Sequence, residues 1–477
     1  MPAADTASAE ALSPGGAAAR DRHAPSGLRL ELWLWLALAV TTLGMAGVFA
    51  LLLAVSRIPG IERVVAWPVD FFQKGLVIHV VFSFVVWFLS ALAACALLAA
   101  RMLAPAGHGA GRAGTLSAIL AAVSLPLLFI PAFLDRGEPT LNNYVPVIID
   151  PLYYTGLVVL AIAVAIAVSG LFVRVTISDL ASRPVVLAVA CAGGLYAIAL
   201  MCIGIAVALL WGEPASHAWN EDLFWGGGHV LQFTNTALMI AAWSLLMTRL
   251  PGASATVPFA VGVAALFLFA AALPAPAFYL LFEPFSARQA EAFTALQYLL
   301  GPPTVIAAFM LVRRLPRPLP WRNVAGLALM LSMIVFFAGS VFGLFVDGAD
   351  TRTPAHYHLV IAGVTLSFMG LFHAVLLPEI GRAPAKLSLC RLQLHLFAWG
   401  QLIASTGLFI AGGYGAPRKV AGDAQSLDVL WAKVGMAMNG GGALFAVAGG
   451  ALFVWIIGTA LVRRSMVEPG GTAAAAR

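Results

Sequence analysis

The sequence predicts an all-α membrane protein built from twelve transmembrane helices. Of its 477 residues, 61% are hydrophobic and only 10% are charged, whereas about 25% charged residues is usual for a soluble domain. The mean hydropathy is +0.94, and the apolar residues are gathered into runs of about 20 residues or more, the length needed to cross a bilayer as a helix. A soluble globular protein is therefore excluded.

Twelve apolar runs satisfy the length requirement, and their even number places both termini on one side of the membrane. The N-terminal segment, the even-numbered loops and the C-terminal tail hold about 18 of the 27 Lys and Arg residues. Positive residues concentrate on the cytoplasmic side, so we expect both termini to be cytoplasmic. The predicted spans are residues 31–55, 75–100, 113–134, 151–173, 184–211, 225–248, 257–282, 295–312, 323–346, 356–378, 389–412 and 435–462.

The domain organisation follows from this pattern. Residues 1–28 are rich in Ala, Gly, Ser and Pro and are predicted to be a disordered cytoplasmic tail. Residues 29–464 form the membrane domain, and residues 465–477 are expected to be a flexible cytoplasmic tail. The net charge of +6 lies largely in loops between spans, so it requires no nucleic-acid partner.

One polar stretch between the third and fourth spans, EPTLNNYVPVIIDP (138–151), is too polar and too rich in proline to cross a membrane. Asn142, Asn143 and Asp150 are residue types that cap helices and form turns. We expect them to cap the following helix or to shape a turn, with a partner surface as the alternative.

Six of the nine histidines fall within or at the ends of predicted spans, and each is costly in a lipid environment. A single histidine there can be explained by a hydrogen bond between helices. Six together favour a metal or cofactor site, because neutral imidazole is a common metal ligand and an axial ligand of haem iron. The six are His79, His229, His356, His358, His373 and His395.

The motif TRTPAHYHLVIAG places His356 and His358 two positions apart at the start of the tenth span. On an α-helix with about 100° per residue they point about 200° apart, so they serve two different ligands. Asp350 lies just before this span, and Arg418 and Lys419 lie in the next loop on the same side. Arg418 and Lys419 are candidate counter-ions for the carboxylates of a large cofactor, and Asp350 is a further candidate contact of that cofactor.

The stretches DTRTPAHYHLVIAGVTLSFMG, RLQLHLFAWGQ and GAPRK, in this order, resemble subunit I of the haem-copper oxidase superfamily. That family includes cytochrome c oxidases, quinol oxidases and nitric oxide reductases. The resemblance implies a twelve-helix bundle of the subunit I type, in which His356 binds a high-spin haem and His358 binds a low-spin haem.

Two further stretches extend the resemblance over nearly the whole chain. DFFQKGLVIHVVFSFVVWFLS places His79 where the family has the second axial ligand of the low-spin haem, and FWGGGHVLQF places His229 where it has a ligand of the copper called CuB. Arg418 and Lys419 fall where the family pairs basic residues with haem propionates. The resemblance implies two haems, whose types it leaves open.

Copper is uncertain, because the sequence departs from the family pattern there. The family completes its copper site with an adjacent His-His pair, but no histidine occurs between His229 and His356, and the place of the pair falls near Phe278-Tyr279. The tyrosine of many oxidases is replaced by Phe233, and the expected proton-channel lysine falls near Ala307. A standard proton-pumping oxygen reductase is therefore not expected.

The function implied is a membrane oxidoreductase of the cytochrome c oxidase or nitric oxide reductase type, in a bacterial cytoplasmic membrane. Electrons from cytochrome c or quinol would pass through the low-spin haem to the high-spin haem, where O2 or NO is reduced. His229 and Tyr279 would line the pocket beside the His356 haem, and accessory oxidase subunits are possible partners. Two alternatives stay open: a noncatalytic homologue that transfers electrons, senses a gas or assists oxidase assembly, and a transporter that relays protons through buried histidines.

Overall fold

The computed structural model describes residues 26–56, 61–65, 68, 70–103, 112–252, 257–346, 348, 350–384, 386–420, 422–425 and 427–463. Within these residues, twelve helices are long and apolar enough to cross a membrane, which confirms the predicted fold class. The tails predicted at 1–28 and 465–477 lie outside the described residues, except that Ser26 already begins the first helix.

The first six spanning helices match the first six predicted spans. Between them, residues 177–182 form a short helix, and two short antiparallel strands, β1 (Pro139–Thr140) and β2 (Val147–Ile148), pair Pro139 with Ile148. The helices are α1 (Ser26–Ser56), α2 (Phe71–Leu103), α3 (Arg112–Phe133), α4 (Pro151–Phe172), α5 (Pro184–Leu209) and α6 (His217–Met247).

The last six spanning helices match the remaining predicted spans. Two of them contain a 3-10 turn, α7 at Ala275–Ala277 and α8 at Gln297–Leu300. The helices are α7 (Phe259–Leu281), α8 (Ala287–Val312), α9 (Val324–Gly343), α10 (Arg352–Glu379), α11 (Leu387–Gly413) and α12 (Leu430–Val462).

Some helices begin earlier than hydropathy predicts, and in α6 a capping residue extends the helix beyond the apolar run. Helix α6 begins at His217 rather than near 225, since the hydroxyl of Ser216 accepts a hydrogen bond from the amide of Trp219 at 3.1 Å. Asp150 caps α4 in the same manner, accepting from the amide of Leu152 at 2.8 Å. The capping role predicted for Asp150 is therefore confirmed.

The chain divides into two compact units, one formed by Met1–Leu53 and Glu62–Pro318, and the other by Ala54–Ile61 and Leu319–Arg477. In the first unit the largest fully buried side chains include Trp87 and Trp243. In the second they include Phe368 and Phe453. Each unit thus has its own apolar core.

In the second unit, α11 and α12 approach each other closely through glycines. A Cβ atom added to Gly400 would lie 2.4 Å from the backbone nitrogen of Ala446, and one added to Gly442 would lie 2.3 Å from that of Ala404. Small residues at such contacts allow the backbones of membrane helices to pack directly against each other. Glycine is therefore required at these positions of the helix pair.

Among the described residues, two spanning helices contain a π-helical turn. In α2 this turn covers Val81–Val86, directly after the segment that carries His79, and in α10 it covers Phe372–Leu376. Such turns are rare and often lie near functional sites.

Candidate functional site

His356 lies near the start of α10 with its ring held in one orientation. Its Nδ1 atom is 2.8 Å from the carbonyl oxygen of Gly339 on α9. A carbonyl can only accept, so in the neutral ring Nδ1 carries the hydrogen and the lone pair lies on Nε2. Within the described residues Nε2 makes no hydrogen bond, and an imidazole anchored through its other nitrogen is the usual form of a metal ligand.

The ring of His356 packs against α9 at Gly343, where a larger side chain would collide with it. A Cβ atom added to Gly343 would lie 2.7 Å from both Cε1 and Nδ1 of His356. The carbonyl of Gly339 thus fixes the ring from one side, while the missing side chain of Gly343 makes room for it.

His358 follows two residues later on the same helix and is half-buried. Its ring stacks on that of Tyr357, with centroids 5.1 Å apart and an interplanar angle of 25°. Since α10 is helical through the whole motif, His356 and His358 project from different faces, as the sequence predicts.

His79 belongs to the first unit, where it is half-buried on α2. Its Nδ1 atom is 2.9 Å from the carbonyl oxygen of Ala46 on α1. As with His356, this bond puts the hydrogen on Nδ1 and the lone pair on Nε2. The hydroxyl of Ser83, inside the π-helical turn, donates to the carbonyl of His79 at 2.6 Å.

The start of α10 is attached to the loop that carries the basic pair Arg418 and Lys419. The amide of Thr351 donates to the carbonyl of Ala416 at 3.0 Å, and both basic residues are half-buried. Lys419 adopts a φ of 61°, which is uncommon for a residue other than glycine. The loop therefore has a defined conformation next to the helix that carries His356 and His358.

Asp350 is 8% exposed and forms an ion pair with Arg352, whose Nη2 atom lies 2.6 Å from Oδ2. The amide of Arg352 also donates to Oδ1 at 2.8 Å. This carboxylate is thus compensated by its neighbour, and its predicted contact with a cofactor stays a prediction.

His229 on α6 is buried and has both ring nitrogens engaged. Nδ1 lies 2.7 Å from the carbonyl oxygen of Trp225, and Nε2 lies 2.9 Å from the hydroxyl oxygen of Tyr144. Because the carbonyl accepts from Nδ1, Nε2 must be the acceptor, and Tyr144 donates its proton to it. The atom that would coordinate a metal is therefore hydrogen-bonded to a phenol.

Tyr144 lies in the connection between β1 and β2 with a φ of 61°. The preceding residue, Asn143, donates from its backbone amide and its side chain to the two carboxylate oxygens of Glu221, at 2.8 and 2.6 Å. Burial, and then the nearby charge of Glu221, raise the pKa of the Tyr144 hydroxyl well above its ordinary value of 10.0. The phenol is therefore protonated at neutral pH and acts as a donor.

Tyr279 on α7 is 5% exposed, and its hydroxyl lies against α6, because a Cβ atom added to Gly226 would be 2.4 Å from it. A cavity of about 160 Å³ opens beside this hydroxyl and is also lined by Glu221, Asp222 and Gln289. This volume is large enough for several water molecules. Tyr279 thus lies near the turn of α6 that carries His229 and lines a polar cavity; that both residues line a pocket beside the His356 haem stays a prediction.

His373 and His395 form hydrogen bonds within the second unit. Nε2 of His373 lies 3.1 Å from the side-chain oxygen of Gln393, and Nδ1 of His395 accepts from the indole nitrogen of Trp399 at 3.2 Å. These contacts are of the interhelical or local kind expected for single histidines in membrane helices.

The described residues fit haem ligation better than copper binding. His356 presents an Nε2 lone pair on a ring that the carbonyl of Gly339 fixes, and the ring of His79 is anchored through Nδ1 to the carbonyl of Ala46. By contrast, Nε2 of His229 is bonded to Tyr144, and the part of the chain that the structure describes contains no group of three or more His, Cys, Asp or Glu side chains able to hold a metal ion. The residues around His229 therefore do not fit a copper ion.

Sequence reasoning did not single out Tyr144, Glu221 or Gly228. A Cβ atom added to Gly228 would lie 2.4 Å from Cγ of Tyr144, so this glycine makes room for the ring. The sequence signal that could have indicated Tyr144 was the unusually polar stretch 138–151. Its two asparagines were expected to form a turn, but the sequence did not indicate that this turn places a tyrosine against His229.

These helices define a multi-pass helical membrane protein. The model of the family described as "Cytochrome C and Quinol oxidase polypeptide I" matches residues 32–445. The chain belongs to this family, which is the haem-copper oxidase subunit I type.

Known proteins are similar to the chain over most of its length. An "Uncharacterized protein" of Aquifex aeolicus (strain VF5) is 26% identical, with coverage of 71% of this chain and 82% of the relative. "Uncharacterized protein RP382" of Rickettsia prowazekii (strain Madrid E) is 24% identical, with coverage of 89% and 94%. A solved structure described as a heme-copper terminal oxidase dimer has a TM-score of 0.75 at 14% identity, covering 91% of this chain and 84% of that chain. At this identity the match shows the shared fold.

Proposed function

We propose that this protein is a haem-binding membrane oxidoreductase that passes single electrons from a low-spin haem to a high-spin haem, where O2 or NO is reduced. The observation that carries the proposal is the anchoring of His356 through Nδ1 to the carbonyl of Gly339, which directs an Nε2 lone pair away from α9. The family to which the chain belongs supports the same assignment.

His79 and His358 would hold the low-spin haem, and His356 would hold the high-spin haem. When bound, haem would supply a redox-active iron that takes up and releases single electrons. The carbonyls of Ala46 and Gly339 fix the orientation of two of the three imidazoles and raise their basicity as ligands. Arg418 and Lys419, in the loop attached to α10, would offer counter-ions to carboxylates of the cofactor.

Tyr279 is the candidate proton donor, because its hydroxyl lines the cavity beside α6. Water in this cavity would connect the hydroxyl with Glu221 and Asp222. We place the protein in a bacterial cytoplasmic membrane with both termini cytoplasmic, where cytochrome c or quinol would donate electrons and accessory oxidase subunits would accompany it.

A second candidate is favoured by the surroundings of His229. Because this residue is hydrogen-bonded through both nitrogens, a homologue that keeps both haems and transfers electrons without reducing a gas is consistent with the same geometry. Consumption of O2 and of NO by the purified protein, supplied with reduced cytochrome c or with quinol, separates the two candidates.

The proposal is tested by the absorption spectra of the purified full-length protein. We expect two haems per chain, one of which binds CO. His356→Ala should remove CO binding and preserve the low-spin spectrum, whereas His79→Ala or His358→Ala should do the reverse. His395→Ala is the matched control and should leave both unchanged. Absence of haem from the protein would overturn the proposal.

A further inference from the structure

The hydrogen bond between Tyr144 and His229 is the contact that determines what His229 can bind. Nδ1 of His229 donates to the carbonyl of Trp225 at 2.7 Å, and this bond leaves Nε2 as the only coordinating atom. The hydroxyl of Tyr144 is 2.9 Å from that atom, and the two ring centroids are 4.6 Å apart. A metal ion at Nε2 would have to displace the phenol.

The phenol is held there by a network built from two parts of the first unit. Asn143, the residue before Tyr144, donates from its backbone amide and its side-chain amide to Glu221 on α6. Asn142 closes the turn by donating from Nδ2 to the carbonyl of Val145 at 2.6 Å. Displacing Tyr144 would therefore also disturb a turn secured by three hydrogen bonds, in addition to the hydroxyl's own bond.

The packing around the pair holds the ring of Tyr144 in this position. Gly228 lies under its ring, where an added Cβ would be 2.4 Å from Cγ. Trp225 meets the ring edge to face at a centroid distance of 6.0 Å, with an interplanar angle of 82°. The site is thus preorganised for a phenol at this position.

We propose that Tyr144 is a positioning residue that occupies the Nε2 lone pair of His229, so that a neutral phenol–imidazole pair stands where relatives of this family bind copper. The pair is a complete hydrogen-bonded unit, with one proton on Nδ1 and one shared from the hydroxyl to Nε2. In this pair the hydroxyl of Tyr144 is the proton donor, Nε2 of His229 is the acceptor, and the imidazole is held in the tautomer protonated on Nδ1. The inference does not depend on haem binding, since no contact that carries it involves His79, His356 or His358.

The first test measures copper in the full-length protein purified from cells supplied with copper. Elemental analysis should find no stoichiometric copper in the wild-type protein. About one copper per chain in the wild type, lost in His229→Gln, would overturn the inference. Haem is measured on the same samples, so a failure of the proposed function is distinguished from a failure of this inference.

The second test reads the tautomer directly from solid-state 15N NMR of protein labelled at histidine. The difference between wild type and His229→Gln should contain one protonated and one unprotonated ring nitrogen. Tyr144→Phe should shift the unprotonated signal while Nδ1 stays protonated, and Tyr298→Phe, at an exposed tyrosine, should shift neither. A His229 signal that Tyr144→Phe leaves unchanged would overturn the inference, and circular dichroism verifies that each variant is folded.

Discussion

Replacing Gly343 by alanine should displace the His356 ring and weaken the haem that it holds. The new Cβ would lie 2.7 Å from Cε1 and Nδ1, which is about 0.7 Å short of the 3.4 Å at which ordinary contact begins. The ring cannot move by that amount and keep its 2.8 Å bond to the carbonyl of Gly339. Metal–ligand distances tolerate only about 0.2 Å, so the required displacement is several times larger than a ligand can accept.

The loss of such an orienting contact typically costs about 10–100-fold in metal affinity. We therefore expect the Gly343→Ala protein to release its CO-binding haem to an excess of an acceptor protein about 10–100-fold faster than the wild type. Gly413→Ala is the control, since an added Cβ there meets no atom within 4 Å. Equal release rates for Gly343→Ala and Gly413→Ala would refute the reasoning, provided that both proteins show the helical content of the wild type.

Two further predictions concern stability. Gly228→Ala should lower the unfolding temperature relative to Gly204→Ala, because a Cβ added at Gly228 meets the ring of Tyr144, whereas one added at Gly204 meets nothing within 4 Å. Overpacking of this kind costs about 1–3 kcal/mol. If the difference persisted in a Tyr144→Ala background, the prediction would be contradicted. The pKa of Asp179 is lowered by hydrogen bonds from the side chain and then the backbone of Thr176. The ionised carboxylate therefore stabilises the short helix fully above the ordinary pKa of 3.8, and this stabilisation is lost as the pH falls through the lower pKa of the folded protein. Hydrogen exchange should show protection of amides 177–182 falling at acid pH, after correction for intrinsic rates, but no such pH dependence in Asp179→Asn.

The fold was largely predictable from the sequence because lipid imposes a simple rule on composition. A span must be apolar over about 20 residues, and all twelve predicted runs correspond to helices. The ends were less predictable, because hydropathy reports the part of a helix that lies in lipid and not the polar turns beyond it. Helix α6, which Ser216 starts at His217, shows the difference.

The candidate site was predictable where a motif is local and unpredictable where it is assembled from distant segments. His356 and His358 are two residues apart on one helix, so their divergence follows from helical geometry alone. Tyr144 and His229 are brought together across 85 positions of sequence, by a turn whose φ of 61° tyrosine rarely adopts. Neither the residue type nor its spacing indicates such a contact, which depends on how Glu221 holds the preceding asparagine.

The π-helical turn at Val81–Val86 gives the two halves of α2 separate helical phases. Such a turn accommodates one residue more than an α-helical turn, so every side chain beyond it is rotated by about 100° relative to an uninterrupted α-helix. The half before the turn directs His79, and the half after it buries a continuous segment that includes Trp87 and Cys95. Removing one residue from the turn would thus leave His79 in place and rotate the entire buried half by about 100°. The turn therefore sets how the side of the helix that carries His79 is oriented relative to the side that packs in the core.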